Sequence, residues 1–154
     1  MSEQEAGLTL SVTATQDAVT VPQLCAMVET MEDYWKRGYR NLRHGDCVGG
    51  DAVFHCIGRA LGFHIIVHPP ENASKRAFMR GDFSHHPMPY LIRNDVIARK
   101  ADDVLAAPKT MDEEQRSGTW ATIRYAWHHG KAVQVCYPDG YYAYRHRMHA
   151  RGQR

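Results

Sequence analysis

The feature that most constrains this chain is a regular alternation of short strand-like segments with longer helical ones. Residues 64–68 (HIIVH) have an unbroken apolar centre, which is typical of a parallel strand covered on both faces. A strand that is followed by a helix and a second strand forms a right-handed crossover between parallel strands. The alternation predicts an α/β fold: a Rossmann-like, doubly wound parallel sheet of about five strands in the order 3-2-1-4-5. The predicted strands are 8–13, 39–43, 64–68, 103–107 and 132–137, and the predicted helices are 21–37, 52–61, 90–100 and 117–129.

Length and charge narrow the choice of protein class. The 154 residues suit a single domain with one core, and we expect a flexible N-terminus at 1–7, the domain at 8–140 and a basic aromatic tail at 141–154. Nineteen Lys and Arg against 17 Asp and Glu leave a net charge of +2, which is too small to attract duplex nucleic acid or an anionic membrane. No apolar run approaches the roughly 20 residues of a membrane span, and no signal peptide is evident, so we expect a cytoplasmic protein.

Ligands of open parallel sheets bind at the turns that follow the strands. Here the turn after the first predicted strand contains hydroxyls, and the turn after the second contains glycines. The hydroxyls of Thr13 and Thr15 can cap a helix or bind a phosphate. After the second strand come His44, Gly45, Gly49, Gly50 and Asp51. Such glycines serve either a tight structural turn or a close approach to a phosphate or ribose. Asp51 would repel a phosphate, so helix capping or contact with a ribose hydroxyl suits it better.

A further glycine turn precedes the last predicted helix. It holds Ser117, Gly118, Thr119, Trp120 and Thr122, and the cations Lys109 and Arg116 come before it. A second helix N-terminus converging on the same edge strengthens an anion site. Trp120 either stacks on a base or packs in the core. Arg93 and Asn94, near the start of the preceding helix, either bind a phosphate or carboxylate or remain solvated.

These motifs, together with His68-Pro69, resemble those of the SLOG superfamily, which includes the lonely-guy phosphoribohydrolases, the Rossmann domain of DNA-processing protein A and many short bacterial and phage proteins. The resemblance spans about 8–138. It implies a nucleotide-type ligand held by the glycine turns and Arg93, and a homo-oligomer paired through helices. The lonely-guy pattern P-G-G-x-G-T-x-x-E is broken here, because Thr122 stands at the glutamate and Gln115-Arg116 replace the glycine pair.

Three functions follow as hypotheses. The first is a module that binds, senses or sequesters a nucleotide or nucleotide-derived molecule. The alternative is hydrolysis of an N-glycosidic bond in a nucleoside monophosphate, which lacks its usual glutamate and would need Asp46 or Asp51 instead. The second alternative is a DNA-associated accessory role. The aromatic, basic tail suits a contact with nucleic acid, a dimer contact or a frayed end equally well.

Other chemistry has weaker signals. Adjacent histidines, His85-His86 and His128-His129, cannot easily chelate one ion, so no metal and no cofactor is expected. The four cysteines have no metal or redox spacing and are expected as free thiols, although Cys47 near a helix N-terminus is a candidate nucleophile. The long segment 71–89 is expected to border the site and to act as a lid.

Overall fold

The computed structural model of the protein describes residues 2–147; Met1 of the predicted flexible N-terminus and 148–154 of the predicted tail lie outside the described residues. The strands are β1 (Leu8–Ala14), β2 (Tyr39–His44), β3 (His64–Val67), β4 (Phe83–Ser84), β5 (Asp103–Ala107), β6 (Ala132–Cys136) and β7 (Tyr142–Tyr144). The helices are α1 (Val21–Lys36), α2 (Gly50–Leu61), α3 (Tyr90–Arg99) and α4 (Gly118–His128), and one 3-10 turn spans Ala73–Lys75. No helix within residues 2–147 is long and apolar enough to cross a membrane.

Within residues 2–147, seven strands join one sheet in the order β4-β3-β2-β1-β5-β6-β7, in which the β6–β7 pair is antiparallel and the other pairs are parallel. The predicted α/β class and single domain are confirmed, but the prediction of five strands in the order 3-2-1-4-5 is wrong in its strand count and in its full order. The two additional strands are short and lie at the edges, β4 in the segment predicted as a loop and β7 in the predicted tail. The other five lie at the centre as β3-β2-β1-β5-β6.

Local signals explain where the helices begin and end. Thr20 caps α1, since its Oγ1 accepts a hydrogen bond from the Gln23 N–H at 3.1 Å, and Pro22 fits the first turn because the N–H that it lacks would have no helical acceptor. Gly62 ends α2 in the left-handed conformation, with φ of 98°, which glycine adopts without strain. These positions fix the lengths of the crossovers that connect neighbouring strands.

The helices cover the sheet in pairs. α1 and α2 pack on one face against Leu10 and Val12 of β1, while α3 and α4 pack on the other face around Trp120. Side chains alternate across a strand, so the hydroxyl residues of β1 point toward α3, and the Ser11 hydroxyl donates to the Ile97 carbonyl at 2.7 Å. The central strand therefore carries its polar side chains toward the α3–α4 layer.

The direction of winding reverses at β1. The chain passes from β1 to β2 and β3 on one side, and later returns to β5 and β6 on the other side. The connections after β1 and β5 therefore diverge, and a crevice forms between them at the carboxyl ends of these strands.

Residues 3–5, which we call the N-terminal strap, cover part of the sheet face opposite α2. The Glu3 carboxylate accepts hydrogen bonds from Arg43 Nη1 at 2.6 Å and His85 Nε2 at 2.8 Å. Arg43 Nη2 also donates to Gln4 Oε1 at 2.5 Å. Because Arg43 is fully buried, the strap supplies the partners that a buried guanidinium needs.

Candidate functional site

A cleft of about 670 Å³, here called the outer cleft, opens at the carboxyl ends of β1 and β5. Its walls come from the end of β1, the loop after β3, the start of α3 and the segment between β5 and α4. The lining residues are Ala14, Thr15, Gln16, Pro70, Glu71, Asn72, Lys75, Pro89, Tyr90, Lys109, Glu114, Arg116, Ser117, Gly118 and Thr119. Sites for small molecules typically enclose about 300–1,000 Å³, so the outer cleft has the size of a small-molecule site.

The N-terminus of α4 forms one wall of this cleft. Ser117 caps the helix, because its Oγ accepts a hydrogen bond from the Trp120 N–H at 3.3 Å. The N–H groups of Gly118 and Thr119 belong to the first helical turn and have no acceptor within the helix. Together with the positive end of the helix dipole, they form a site at which an anionic group is stabilised.

Three cations and two acids line the outer cleft. Lys109 Nζ lies 2.9 Å from Asp17 Oδ2 in an exposed ion pair, and exposed pairs of this kind are worth little in water. Lys75 and Arg116 form no ion pair with any other residue in the range 2–147. These two side chains are therefore available to a ligand, although Glu71 and Glu114 reduce the net positive charge of the cleft.

A small polar cavity, here called the inner chamber, lies beneath the outer cleft and shares Ala14, Gln16, Tyr90 and Thr119 with it. The other polar and glycine residues in its lining are Thr13, Gly45, Cys47, Asp51, Arg93, Asn94 and Thr122. Asp51 Oδ1, Asn94 Nδ2 and Arg93 Nε are buried and have no hydrogen-bond partner among the described residues. Buried polar atoms are nearly always paired, so three unpaired polar atoms on residues of one cavity mark the inner chamber as a candidate binding site.

Arg93 connects three segments at the floor of the site. Its Nη1 donates to the Gly45 carbonyl and to the His68 carbonyl, the latter at 3.3 Å. The guanidinium also lies 4.9 Å from the centre of the Tyr90 ring and within 3.7 Å of the Cys47 sulfur. The side chain is buried, and its Nε has no hydrogen-bond partner among the described residues, so this N–H can donate to a group that enters the inner chamber.

The glycines after β2 are required by packing. The Gly50 N–H donates to the Thr15 carbonyl at 2.8 Å, and a Cβ at position 50 would collide with the Cβ of Ala14. Gly49 has φ of 88° and packs against the same β1 turn, and a Cβ at Gly45 would collide with the Arg93 guanidinium. Gly49 and Gly50 line neither compartment, so the turn holds the β1 and β2 ends together beside the cleft.

His44 is buried away from both compartments. Its Nδ1 accepts a hydrogen bond from the Asp46 N–H at 2.9 Å, so its proton lies on Nε2, which donates to His55 Nδ1 at 2.9 Å. Burial, with repulsion from His55 and Arg93, lowers the pKa of His44 to about 3. This histidine is therefore a neutral positioning group for the turn at physiological pH.

Trp120 and Thr122 lie on different sides of α4. Trp120 is fully buried in the cluster between α3, α4 and the sheet, with the Arg145 guanidinium 4.6 Å from its ring centre, and it lines neither compartment. Thr122 lines the inner chamber, and its hydroxyl donates to the Gly118 carbonyl at 3.0 Å. Position 122 therefore faces the site.

Burial dominates the protonation of the chamber. It raises the pKa of Asp51 to about 6, against the attraction of Arg93 and a 3.2 Å hydrogen bond from the Cys47 N–H to Asp51 Oδ2. Burial also raises the pKa of the Cys47 thiol, with a further contribution from the negative charge of Asp51. Cys47 is thus protonated at neutral pH, which argues against its use as a nucleophile.

A second polar cluster brings Glu3 of the strap together with His68 and His85, and their potential metal-ligand atoms lie within 4.8 Å of one another. The Arg43 guanidinium lies 2.6 Å from Glu3 Oε1 and 2.9 Å from His68 Nε2. A cation of the protein therefore already occupies the position between these ligands. The cluster is a charge-paired support for β2 and β3.

The structure thus distributes the residues that the sequence predicted for the site. Thr15, Lys109, Ser117, Gly118 and Thr119 line the outer cleft; Thr13, Gly45, Asp51, Arg93, Asn94, Thr119 and Thr122 line the inner chamber; His44, Gly49, Gly50 and Trp120 line neither. Segment 71–89, which was expected to border the site, contributes Glu71, Asn72, Lys75 and Pro89 to the lining of the outer cleft, although none of these residues was named individually. Sequence reasoning missed Tyr90. Tyr90 follows Pro89 at a helix start, three residues before Arg93, and that position beside a suspected ligand residue was the available signal.

Comparisons with known proteins give a fold and no family. No family model matches the chain, and no curated protein matches it. The X-ray structure of TM1055, a target of the Northeast Structural Genomics Consortium, is similar, with a TM-score of 0.63 and 18% sequence identity over 82% of this chain and 72% of that chain. At this identity the similarity establishes the Rossmann-like α/β fold.

Proposed function

We propose that the protein binds a nucleotide or nucleotide-derived small molecule in the outer cleft, with an anionic group at the N-terminus of α4. The observation that carries this proposal is the position of that helix end, which opens into a nucleotide-sized cleft at the point where the sheet reverses its winding. The motif resemblance to the SLOG superfamily supports the same class of ligand. The fold shared with TM1055 is one in which ligands bind at this edge.

The contacts follow from the chemistry of the walls. The Gly118 and Thr119 N–H groups suit phosphate oxygens, and Arg116 and Lys75 supply positive charge, since neither forms an ion pair with an acid in the range 2–147. The Tyr90 ring and the apolar surface of Pro70 and Pro89 supply a less polar wall for a base. The ligand would then extend from α4 across the cleft toward the loop after β3.

Thermal unfolding against nucleoside monophosphates, cyclic nucleotides and ADP-ribose derivatives tests the proposal. A ligand at 100 times its dissociation constant adds about 2.7 kcal/mol to the free energy of unfolding. Lys75→Gln should weaken the binding several-fold. Lys36→Gln is the matched control, because Lys36 is an exposed lysine in the last turn of α1, before the amino end of β2. The proposal would be refuted if no ligand changed the stability of the protein, or if Lys75→Gln and Lys36→Gln lost ligand affinity to the same extent.

A second candidate function is hydrolysis of the N-glycosidic bond. The observation that favours it is Asp51, a buried carboxyl with a pKa raised to about 6 in the chamber that adjoins the cleft, because a raised pKa suits a general acid. In this reaction water adds to the anomeric carbon, the bond to the base breaks, and the base leaves with a proton. Chromatography of the same mixtures distinguishes hydrolysis from binding alone. Free base that the unchanged protein releases and Asp51→Asn does not release supports hydrolysis, whereas ligand that is recovered intact supports binding alone.

A further inference from the structure

The inner chamber has a size and a polarity that differ from those of the outer cleft. Its volume is about 10 Å³, close to the ~10–15 Å³ that a single water-sized group requires. The Tyr90 side chain and Thr119 stand between the two compartments. The Tyr90 hydroxyl packs so closely on Gly118 that a Cβ there would collide with it. The chamber can therefore admit one small polar group from a ligand whose main part stays in the cleft.

Three polar atoms in the chamber define what that group must be. Asp51, Asn94 and Arg93 are 5%, 4% and 3% exposed, and one polar atom of each has no partner among the described residues. Asp51 Oδ1 is an acceptor, whereas Asn94 Nδ2 and Arg93 Nε are donors. A matching group must donate one hydrogen bond and accept others. A hydroxyl does both, while a phosphate oxygen or an apolar group does not.

We infer that the inner chamber is a specificity subsite that binds one sugar hydroxyl of the ligand, which donates to Asp51 and accepts from Asn94. This inference rests on the proposed function, since it takes the anionic group of the ligand to lie at Gly118 and Thr119. Thr119 lines both compartments, so a hydroxyl in the chamber and an anion at the helix end belong to neighbouring parts of one molecule. The subsite selects ribonucleotides over their deoxy counterparts.

Calorimetric titration with a ribonucleoside 5′-monophosphate and with its 2′-deoxy and 3′-deoxy forms tests the subsite. A hydrogen bond to a charged group corresponds to roughly a tenfold or larger change in affinity, so one deoxy form should bind at least about tenfold more weakly to the unchanged protein. Asp51→Asn should reduce this ratio to about threefold or less by weakening the ribonucleotide. Asp95→Asn is the matched control, because Asp95 is on the same helix as Asn94 but contacts His129 and lines neither compartment.

The outcomes separate the subsite from the proposed function. Equal binding of all three forms by the unchanged protein overturns the subsite and leaves nucleotide binding intact. Binding of none of them overturns both. A second variant, Asn94→Ala, keeps the test decisive if Asp51→Asn does not fold by near-ultraviolet circular dichroism: a preserved ribose preference in a folded Asn94→Ala protein also overturns the subsite.

Discussion

Replacement of Asp51 by Asn should stabilise the fold at neutral and alkaline pH. Asp51 is buried, and burial raises the pKa of its carboxyl from an ordinary value of 3.8 to about 6. A difference of one in pKa between the folded and unfolded chains corresponds to about 1.4 kcal/mol, so ionised Asp51 destabilises the fold by about 3 kcal/mol. Asparagine has nearly the same shape, and its carbonyl can still accept the hydrogen bond from Cys47.

The sign of the pH dependence follows from the same comparison. Below pH 3.8 Asp51 is mostly protonated in both the folded and the unfolded chain and contributes no penalty. Between pH 3.8 and about 6 the unfolded chain releases the proton first, so the folded protein loses stability as the pH rises. Above pH 6 the full penalty is present. The advantage of Asp51→Asn over the unchanged protein should therefore grow by about 3 kcal/mol from pH 3.5 to pH 8.

Urea unfolding followed by tryptophan fluorescence measures this difference at each pH, and other titrating groups cancel because both proteins carry them. At pH 8 the melting temperature of Asp51→Asn should therefore lie about 6–12 °C above that of the unchanged protein, which carries the penalty. Curves for the two proteins that run parallel from pH 3.5 to pH 8 would show that Asp51 is not buried as an ionisable group. A stability gain with a loss of ligand binding would identify Asp51 as a residue kept for function.

Three further changes test other parts of the structure. Glu3→Gln should lower stability at neutral pH and abolish the loss of stability that Glu3 causes below pH 4.5. Burial opposes ionisation of Glu3, but hydrogen bonds from Arg43 and His85 outweigh burial and lower the pKa of Glu3 to about 2. The stability that ionised Glu3 contributes is therefore lost as the pH falls from 4.5 toward 2, and unfolding measured across this pH range tests it. Gly50→Ala should destabilise the protein by about 1–3 kcal/mol in urea, since its Cβ meets Ala14, and an unchanged midpoint would contradict this packing. Gly118→Ala should displace the Tyr90 hydroxyl from the end of α4; ligand affinity that is unchanged in this variant would show that neither group contributes to the site.

The sequence was informative where one segment determines its own structure. The apolar run of 64–68, the Thr20 cap and Gly62 are local signals, and β3, α1 and α2 lie where these signals placed them. The edge strands lacked such signals. β4 has only two residues, and its pairing with β3 depends on contacts between distant parts of the chain. Periodicity does not report such contacts.

The site was harder to predict because a residue type does not reveal which way its side chain faces. Gly49 and Gly50 have the pattern of a phosphate-binding turn, but their lack of side chains serves close packing on the β1 turn. Trp120 lies beside Gly118, yet the helical rotation of about 100° per residue carries it into the core. Arg93 has its guanidinium turned inward to two carbonyls. Tyr90 separates the two compartments through its position in space, which the sequence alone does not give.

The binding of an anionic group at the N-terminus of α4 is the central claim, and nuclear magnetic resonance tests it most directly. A ¹⁵N-labelled sample is titrated with a nucleoside 5′-monophosphate and, separately, with the same nucleoside without its phosphate. The account predicts that the amide signals of Gly118 and Thr119 move during the first titration and move much less during the second. Amide signals of these two residues that stay fixed while others respond to the nucleotide would contradict it.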